Sequence, residues 1–423
     1  MKDQLDEPRP QCRRYCACVS SPREPGHVSL AVIAREWGRI GITGFGGPPA
    51  HIALLRSLCV QRNDWLSETE FEDGISATSL LPGPASTQLA IFCAWRLAGP
   101  VGALVGGVCF IVPGLIIILA LSVLFLAHSP PSWVTGAAAG AGAAVPAVAV
   151  GAAAALVPAS WRRAGPAFDA SANGTASAGW RRIGTVSLGR MRWIVYLVAG
   201  AIGANLAGQF LVAVLLACGL VEWLVSRTPR TDSGSAGRAL LPLAVKAGVA
   251  AGVFGSLAWE ALKVGALSFG GGFVIIPLMQ HDAVHTYHWM TTAQFLSAVA
   301  LGQVTPGPVV QTVAVVGYAA AGLAGGLVAA VLAFTPSFVF VLAGGPHFDR
   351  FRRSPAAQAF LNGSGPAAIG AIAGAAITLG LGLTHYWQVG VLAAATIWLV
   401  VLRRGVVSTI LAAAAIGVIV ALA

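Results

Sequence analysis

Residues 36–47 read EWGRIGITGFGG, and residues 260–271 read EALKVGALSFGG. The two align without a gap at an offset of 260 − 36 = 224 positions, and the register extends outward from them. It carries Trp65 onto Trp289, Phe71 onto Phe295 and Pro82-Gly83-Pro84 onto Pro306-Gly307-Pro308. Further on, the same offset sets Gly102 on Gly326, Phe110 on Phe334 and the small-residue run 143–151 on 367–375. Chance does not hold one register over such a length, so the chain reads as two copies of one unit.

Composition says what kind of unit it is. A chain of 423 residues with 56% apolar and 10% charged residues, and with 52 glycines, belongs in a bilayer rather than in water. Apolar runs of the ~20 residues that cross hydrocarbon recur at 101–127, 133–157, 193–225 and 387–423. The expected fold is all-α and polytopic. Its parts are a polar N-terminal tail over 1–28, a first membrane repeat over 29–159, and a basic loop with linking transmembrane segments over 160–240. A second repeat over 241–383 and C-terminal transmembrane helices over 384–423 complete it. The net charge of +10 points to membrane anchoring, not nucleic acid. The arginines lie between apolar runs (Arg162, Arg163, Arg181, Arg182, Arg190, Arg192, then Arg350, Arg352, Arg353) with no aromatic-basic platform. Because 122–131 holds no Lys or Arg while 346–355 holds three arginines, the two units are expected to be inverted. Cys59, Cys93, Cys109 and Cys218 read as packing residues; Cys12, Cys16 and Cys18 lack a fourth ligand, so no metal and no cofactor is expected.

Within each unit, glycine and proline interrupt segments that would otherwise be single helices. Thr43-Gly44-Phe45-Gly46-Gly47-Pro48-Pro49 cannot continue a helix, because proline lacks an N–H and disfavours helical geometry in the residue before it. Proline suits a first turn, so half-helices are expected to start at Pro48 and at Pro84. Their free amides and partial positive charge suit a small anion. The candidate substrate residues are Gly46, Gly47, Gly83, Gly270, Gly271 and Gly307, with the polar neighbours Ser86, Thr87, Gln88, Gln303, Thr305, Gln311 and Thr312. The competing reading makes the glycines and prolines helix kinks and the polar side chains links between helices.

Charged residues form a second set. Glu36 with Arg39 and Glu260 with Lys263 are i,i+3 pairs, read either as structural ion pairs or as sites of anion attraction or proton coupling. His51, Arg56 and Arg96 face Ile275, Gln280 and Ala320 at the repeat offset, so whatever they do is asymmetric; each is an interface anchor or a substrate contact. Asp64, Glu68, Glu70, Glu72 and Asp73 read as an interfacial amphipathic helix after Trp65.

The stretches GITGFGGPPAHIALL, DWLSETEFEDGISATSLLPGPASTQLAIF, RLAGPVGALVGGVCFIVPG, GALSFGGGFVIIPL and FLSAVALGQVTPGPV resemble the long-chain, two-domain members of the chromate transporter superfamily. The resemblance implies an exporter of chromate, with sulfate as a related dianion, that confers chromate resistance in the plasma membrane. The family pattern has Gln three residues before the first PGP; this chain has Ser79 there and keeps Gln303 in the second half. Independently, an inside-negative potential favours outward movement of a dianion without a second ion. The expected partners are a chromate or sulfate dianion, the lipid bilayer and, for an assembled form, a second copy in a homodimer. Proton-coupled uptake of sulfate or another oxyanion is the alternative within transport. A membrane-embedded lipid-modifying enzyme is the alternative from another class, against which stands the lack of a metal-ligand cluster or nucleophile elbow.

Overall fold

The computed structural model describes residues 28–127, 129–164, 179–206, 211–226, 252–268, 272–344 and 354–423, and among these every regular element is helical. The tail cysteines, Arg350, Arg352, Arg353, Gly270 and Gly271 lie outside the described residues. Helix α1 (Leu30–Thr43) rises about 21 Å, too little to cross ~30 Å of hydrocarbon. It stops at the glycine loop, and α2 (Pro48–Arg56) restarts with proline in its first turn before running into a π-helical turn over Ser57–Arg62. Helix α3 (Glu68–Leu80) opens on a capping box between Ser67 and Glu70. Then comes Pro82-Gly83-Pro84, and α4 (Ala85–Phe125) follows.

A straight helix of 41 residues would be about 61 Å long, twice the bilayer's core. The chain instead reverses inside α4, where Ala98 (φ −145°, ψ 26°) and Gly99 (φ 64°, ψ −157°) leave helical geometry. Gly102 and Gly106 then lie against Ala94, and Gly107 against Ile91, so the arm 85–97 folds back along 100–125. Helix α3 packs beside the same arm, with Gly74 against Leu89 and Phe92. The segment 68–97 is therefore a re-entrant helical hairpin. Its base is closed by the Arg96–Glu70 ion pair and its tip is Pro82-Gly83-Pro84.

The second half repeats these details. Helix α8 (Val253–Leu267) meets a glycine loop, α9 (Ile275–Gln280) runs into a π-helical turn over His281–Thr286, and α10 (Thr292–Val304) opens on a capping box between Thr291 and Gln294. After Pro306-Gly307-Pro308, a 3₁₀ turn (Val309–Gln311) leads into α11 (Thr312–Gly344), which reverses at Ala321 (φ −150°, ψ 32°) and Gly322 (φ 64°, ψ −155°). The π turns, the capping boxes and the positive-φ pair Asp64 and His288 recur at 224 positions. The reversals recur at 322 − 99 = 223, and so do Pro113 and Pro336 inside the long helices. Gly41 lies on the Phe110 carbonyl as Gly265 lies on that of Ala333. Phe110 thus corresponds to Ala333 and Gly102 to Gly325, which corrects the register expected beyond the PGP motifs by one residue.

Helices α4 and α11 pack antiparallel at the centre: Gly107 faces the Phe338 ring while Leu119 faces Gly326. Since α4 runs from its reversal toward the start of α5 (Ser132–Arg163), the first hairpin enters from the face where α5 ends. The second hairpin enters from the opposite face. The first of these faces carries Arg162 and Arg163 at the end of α5 and, within α6 (Gly179–Leu206), Arg190 and Arg192. There Trp161 and Trp193 meet edge to face at 4.9 Å and Arg190 lies over Trp161, an interfacial aromatic belt.

The peripheral helices exchange partners. Helices α6 and α7 (Leu211–Ser226) follow α5 in sequence but pack on α12 (Pro355–Leu381), through Gly370 on Leu197 and Gly363 on Cys218. Helices α13 (Tyr386–Thr396) and α14 (Val406–Leu422) follow α12 but pack on α5, where Gly136 and Gly140 meet Gly417 and Ala413. Small residues allow these backbones to approach closely where lipid supplies no hydrophobic drive between helices.

Candidate functional site at the hairpin tips

Both tips end in the interior against the opposite unit. Gly83 lies beside the Gln88 amide and the Ser337 hydroxyl of α11; Gly114 of α4 lies against the Pro306 carbonyl and the Gln311 amide. Gly83 (φ 126°) and Gly307 (φ 105°) hold backbone conformations that side chains disfavour, which is why glycine stands between the prolines. The glycine loops close on the second tip. Gly307 N–H donates to the Gly44 carbonyl at 3.2 Å, and Val309 touches both Gly47 (φ 72°) and Gly272. Gly46 (φ 101°) faces outward.

His51 ties a glycine loop to a hairpin. Its Nε2 lies 2.9 Å from the Gly44 carbonyl, an acceptor only, so Nε2 carries the proton. In the neutral ring Nδ1 must then accept from Ser86, 3.2 Å away, which commits the Ser86 proton. His51 is fully buried with its ring edge to face on Phe110 at 5.0 Å, so it positions the tips and is not an interface anchor.

The remaining polar residues divide by where their protons go. Thr305 donates to Leu301 O at 2.9 Å and Thr312 to Val309 O at 2.8 Å, inside their own helix turns. Gln88 donates through Nε2 to Pro82 O at 2.7 Å, and Gln311 to Ile111 O of the opposite unit at 2.8 Å. At the corrected offset these two glutamines are equivalent, 311 − 88 = 223. Left without a partner in the interior are Thr87 Oγ1, Gln88 Oε1, Ser268 Oγ, Gln303 Nε2, Gln311 Oε1 and Ser337 Oγ. Each such atom costs about 1–3 kcal/mol unless something bonds to it. Ser268 and Ser337 were not expected from the sequence. Ser268 directly precedes the second FGG, a readable signal, whereas Ser337 follows the helix proline Pro336 and nothing local ties it to a tip. Ser79, equivalent to Gln303, bonds outward to Ile75 O.

The sequence model of the Chromate transporter family matches residues 31–223 and 255–418, segments that begin 255 − 31 = 224 positions apart. The chromate transport protein of Cupriavidus metallidurans is 31% identical over 81% of this chain and 80% of its own length. The chain belongs to the chromate transporter family. Among its relatives, the probable chromate transport protein of Synechococcus elongatus is 28% identical over 88% of this chain and 90% of its own length. The chromate transport protein of Pseudomonas aeruginosa is 28% identical over 84% and 82%. No solved structure matches. The matches and the apolar helices make this member of the family a multi-pass membrane transporter.

In this chromate transporter family member the charged candidates stand apart from the tips. Glu36 pairs with Arg35 at 2.9 Å and not with Arg39, which is exposed; the i,i+3 pair expected in the first unit is absent. Arg35 precedes Glu36 directly and reaches its carboxylate from the lipid or water side, being 79% exposed. In the second unit Lys263 does bond Glu260 at 2.6 Å, and it also pairs with Asp282, which donor Thr286 reaches at 3.4 Å. Asp282 was unforeseen, although a lone acid in IIPLMQHDAV marks it. Arg56 bonds Glu68 at 2.6 Å and also Glu72, over the Phe71 ring, while Arg96 bonds Glu70. The acids after Trp65 are thus the base of the first hairpin rather than a separate interfacial helix, and Arg56 and Arg96 close that base. Among the described residues no cluster of His, Cys, Asp or Glu could hold a metal.

Proposed function

We propose that the chain exports chromate from the cytoplasm through the inner, plasma membrane, along a path that passes between the two hairpin tips, and so confers chromate resistance. The observation that carries this is the ring of unpartnered interior hydroxyl and amide groups around two re-entrant tips that enter from opposite faces. The antiparallel central helices support an inverted pair of repeats, with the site at their interface, as in many secondary transporters. The arginine-rich face supports a cytoplasmic assignment for the base of the first hairpin. The relatives' chromate names support the substrate. Thr87, Ser337 and Ser268 supply donors, the free amides at the start of the arm 85–97 add partial positive charge, and potential does the work. Moving an anion outward gains about 2.3 kcal/mol per 100 mV for each negative charge it carries. The buried Glu260, Lys263 and Asp282 favour one second reading, coupling to protons, in which an acid of that set exchanges its proton during the cycle.

The test uses inverted membrane vesicles with labelled chromate and sulfate. Chromate accumulates in the lumen when the lumen is made positive at equal pH, and vesicles without the protein show only leak. If neither anion moves under any imposed potential, transport in this form is wrong.

A further inference from the structure

The tips present acceptors as well as donors. Gln88 and Gln311 each spend their NH₂ group on a backbone carbonyl, which fixes the carboxamide orientation, because turning either over would set oxygen against oxygen. Each tip is therefore left with one buried carbonyl oxygen that nothing bonds. A fully deprotonated tetrahedral anion has only acceptors to offer and is repelled by these oxygens. An anion that keeps one O–H can donate it to a glutamine while it accepts from Thr87 and Ser337. Lower charge also suits the place, since no lysine or arginine bonds to the tips among the described residues and the cost of desolvating an ion grows with the square of its charge.

We propose that the site selects the monoprotonated oxyanion, hydrogen chromate rather than the chromate dianion, and that Gln88 and Gln311 are the residues that read the proton. This rests on the transport reading above and deepens it. The chemistry gives the preference a use. The chromate dianion takes up a first proton close to neutral pH whereas the sulfate dianion does so only in strong acid, so two anions of similar shape are separated by whether an O–H is present. A site tuned to that difference rejects sulfate without needing to sense size.

The experiment uses the full chain in proteoliposomes, with the potential clamped at zero and equal pH on both sides. At fixed, subsaturating total chromate, flux falls about tenfold per pH unit once the dianion dominates. Titration of the protein is separated at one fixed pH by competition: phosphate, which keeps an O–H, inhibits chromate flux at least tenfold more strongly than sulfate. The groups this control covers are His51, bonded at the tips, Cys93 and Tyr318 on the two arms, Glu36 and Arg39 on α1, and the Glu260, Lys263 and Asp282 set. Changing Gln88 and Gln311 together to Met lowers flux and flattens both preferences, while elution as a single species shows that the variant folds. Chromate flux that is flat or rises with pH, or inhibition by sulfate as strong as by phosphate, leaves transport standing and overturns the protonated anion. Absence of chromate flux at every pH overturns both.

Discussion

A hydroxyl buried without a partner costs about 1–3 kcal/mol, and Thr87 and Ser337 each carry one beside a tip. That cost makes their roles separable. If they serve the anion, Thr87→Val with Ser337→Ala raises thermal stability, since two unpaired groups vanish, and weakens anion binding. Each lost bond to a charged ligand is worth about 1.5–3 kcal/mol, roughly a tenfold to 150-fold change in affinity. Measuring melting temperature and the concentration dependence of chromate flux on one preparation decides it; a variant that melts lower and transports normally would show them to be packing groups. Thr87 and Gln88 were visible in the sequence because they follow a tip within one helical turn. Ser337 was not, because it lies 337 − 83 = 254 residues from the glycine it touches and only the crossing of the two units brings it there. The one-residue slip was hidden for a plainer reason. Gly102 finds a glycine at both 325 and 326, so small residues satisfy either register.

The buried charges act at the scale of the elements that carry them. Glu260 on α8 and Asp282 beyond α9 both bond Lys263, so two potential negative charges share one positive. Glu260→Gln leaves a balanced Lys263–Asp282 pair and is expected to be mild, whereas Lys263→Met strands two carboxyls and costs about 3–5 kcal/mol. Glu36→Gln removes only an exposed pair with Arg35, worth about 0–1 kcal/mol. Expression level and detergent melting of the three variants rank them, and a Glu260→Gln variant as damaged as Lys263→Met would refute the shared charge. The hairpin arms show how such elements stay matched despite the slip. Residues 85–97 give 97 − 85 + 1 = 13 positions and 309–320 give 320 − 309 + 1 = 12. The second arm opens with three residues of 3₁₀ helix, which rise about 2.0 Å each instead of 1.5 Å and recover about one residue's length. Breaks at Pro48 and Pro84 could be read from proline chemistry. The reversal at Gly99 carried a signal that was not used, the breaker pair Gly99-Pro100 three residues after Arg96, whereas at the equivalent Gly322 the next residue is Leu323 and no proline marks the turn.

Across the whole molecule, the exchange of helix pairs has a consequence for how the protein is made. The glycine face of α5 is covered by α14, and Gly140 and Ala413 are 413 − 140 = 273 residues apart. At about 5–20 residues per second, the ribosome needs roughly 14–55 s to deliver that cover. During this interval α5 sits in lipid beside neighbours that are not its final ones, while α12, made later, finds α6 and α7 already waiting. Biogenesis is therefore lopsided: the second half is completed as it emerges, and the first half is completed only once α14 has been made. Ending translation after Arg404, which deletes α14, is expected to leave the tips encoded in full yet give a chain that membrane proteases clear several-fold faster than the full-length protein in a pulse-chase. Equal lifetimes would show that α5 needs no late partner. Helix α14 thus acts as a quality checkpoint, through which an incomplete transporter is recognised before it can open a leak for anions.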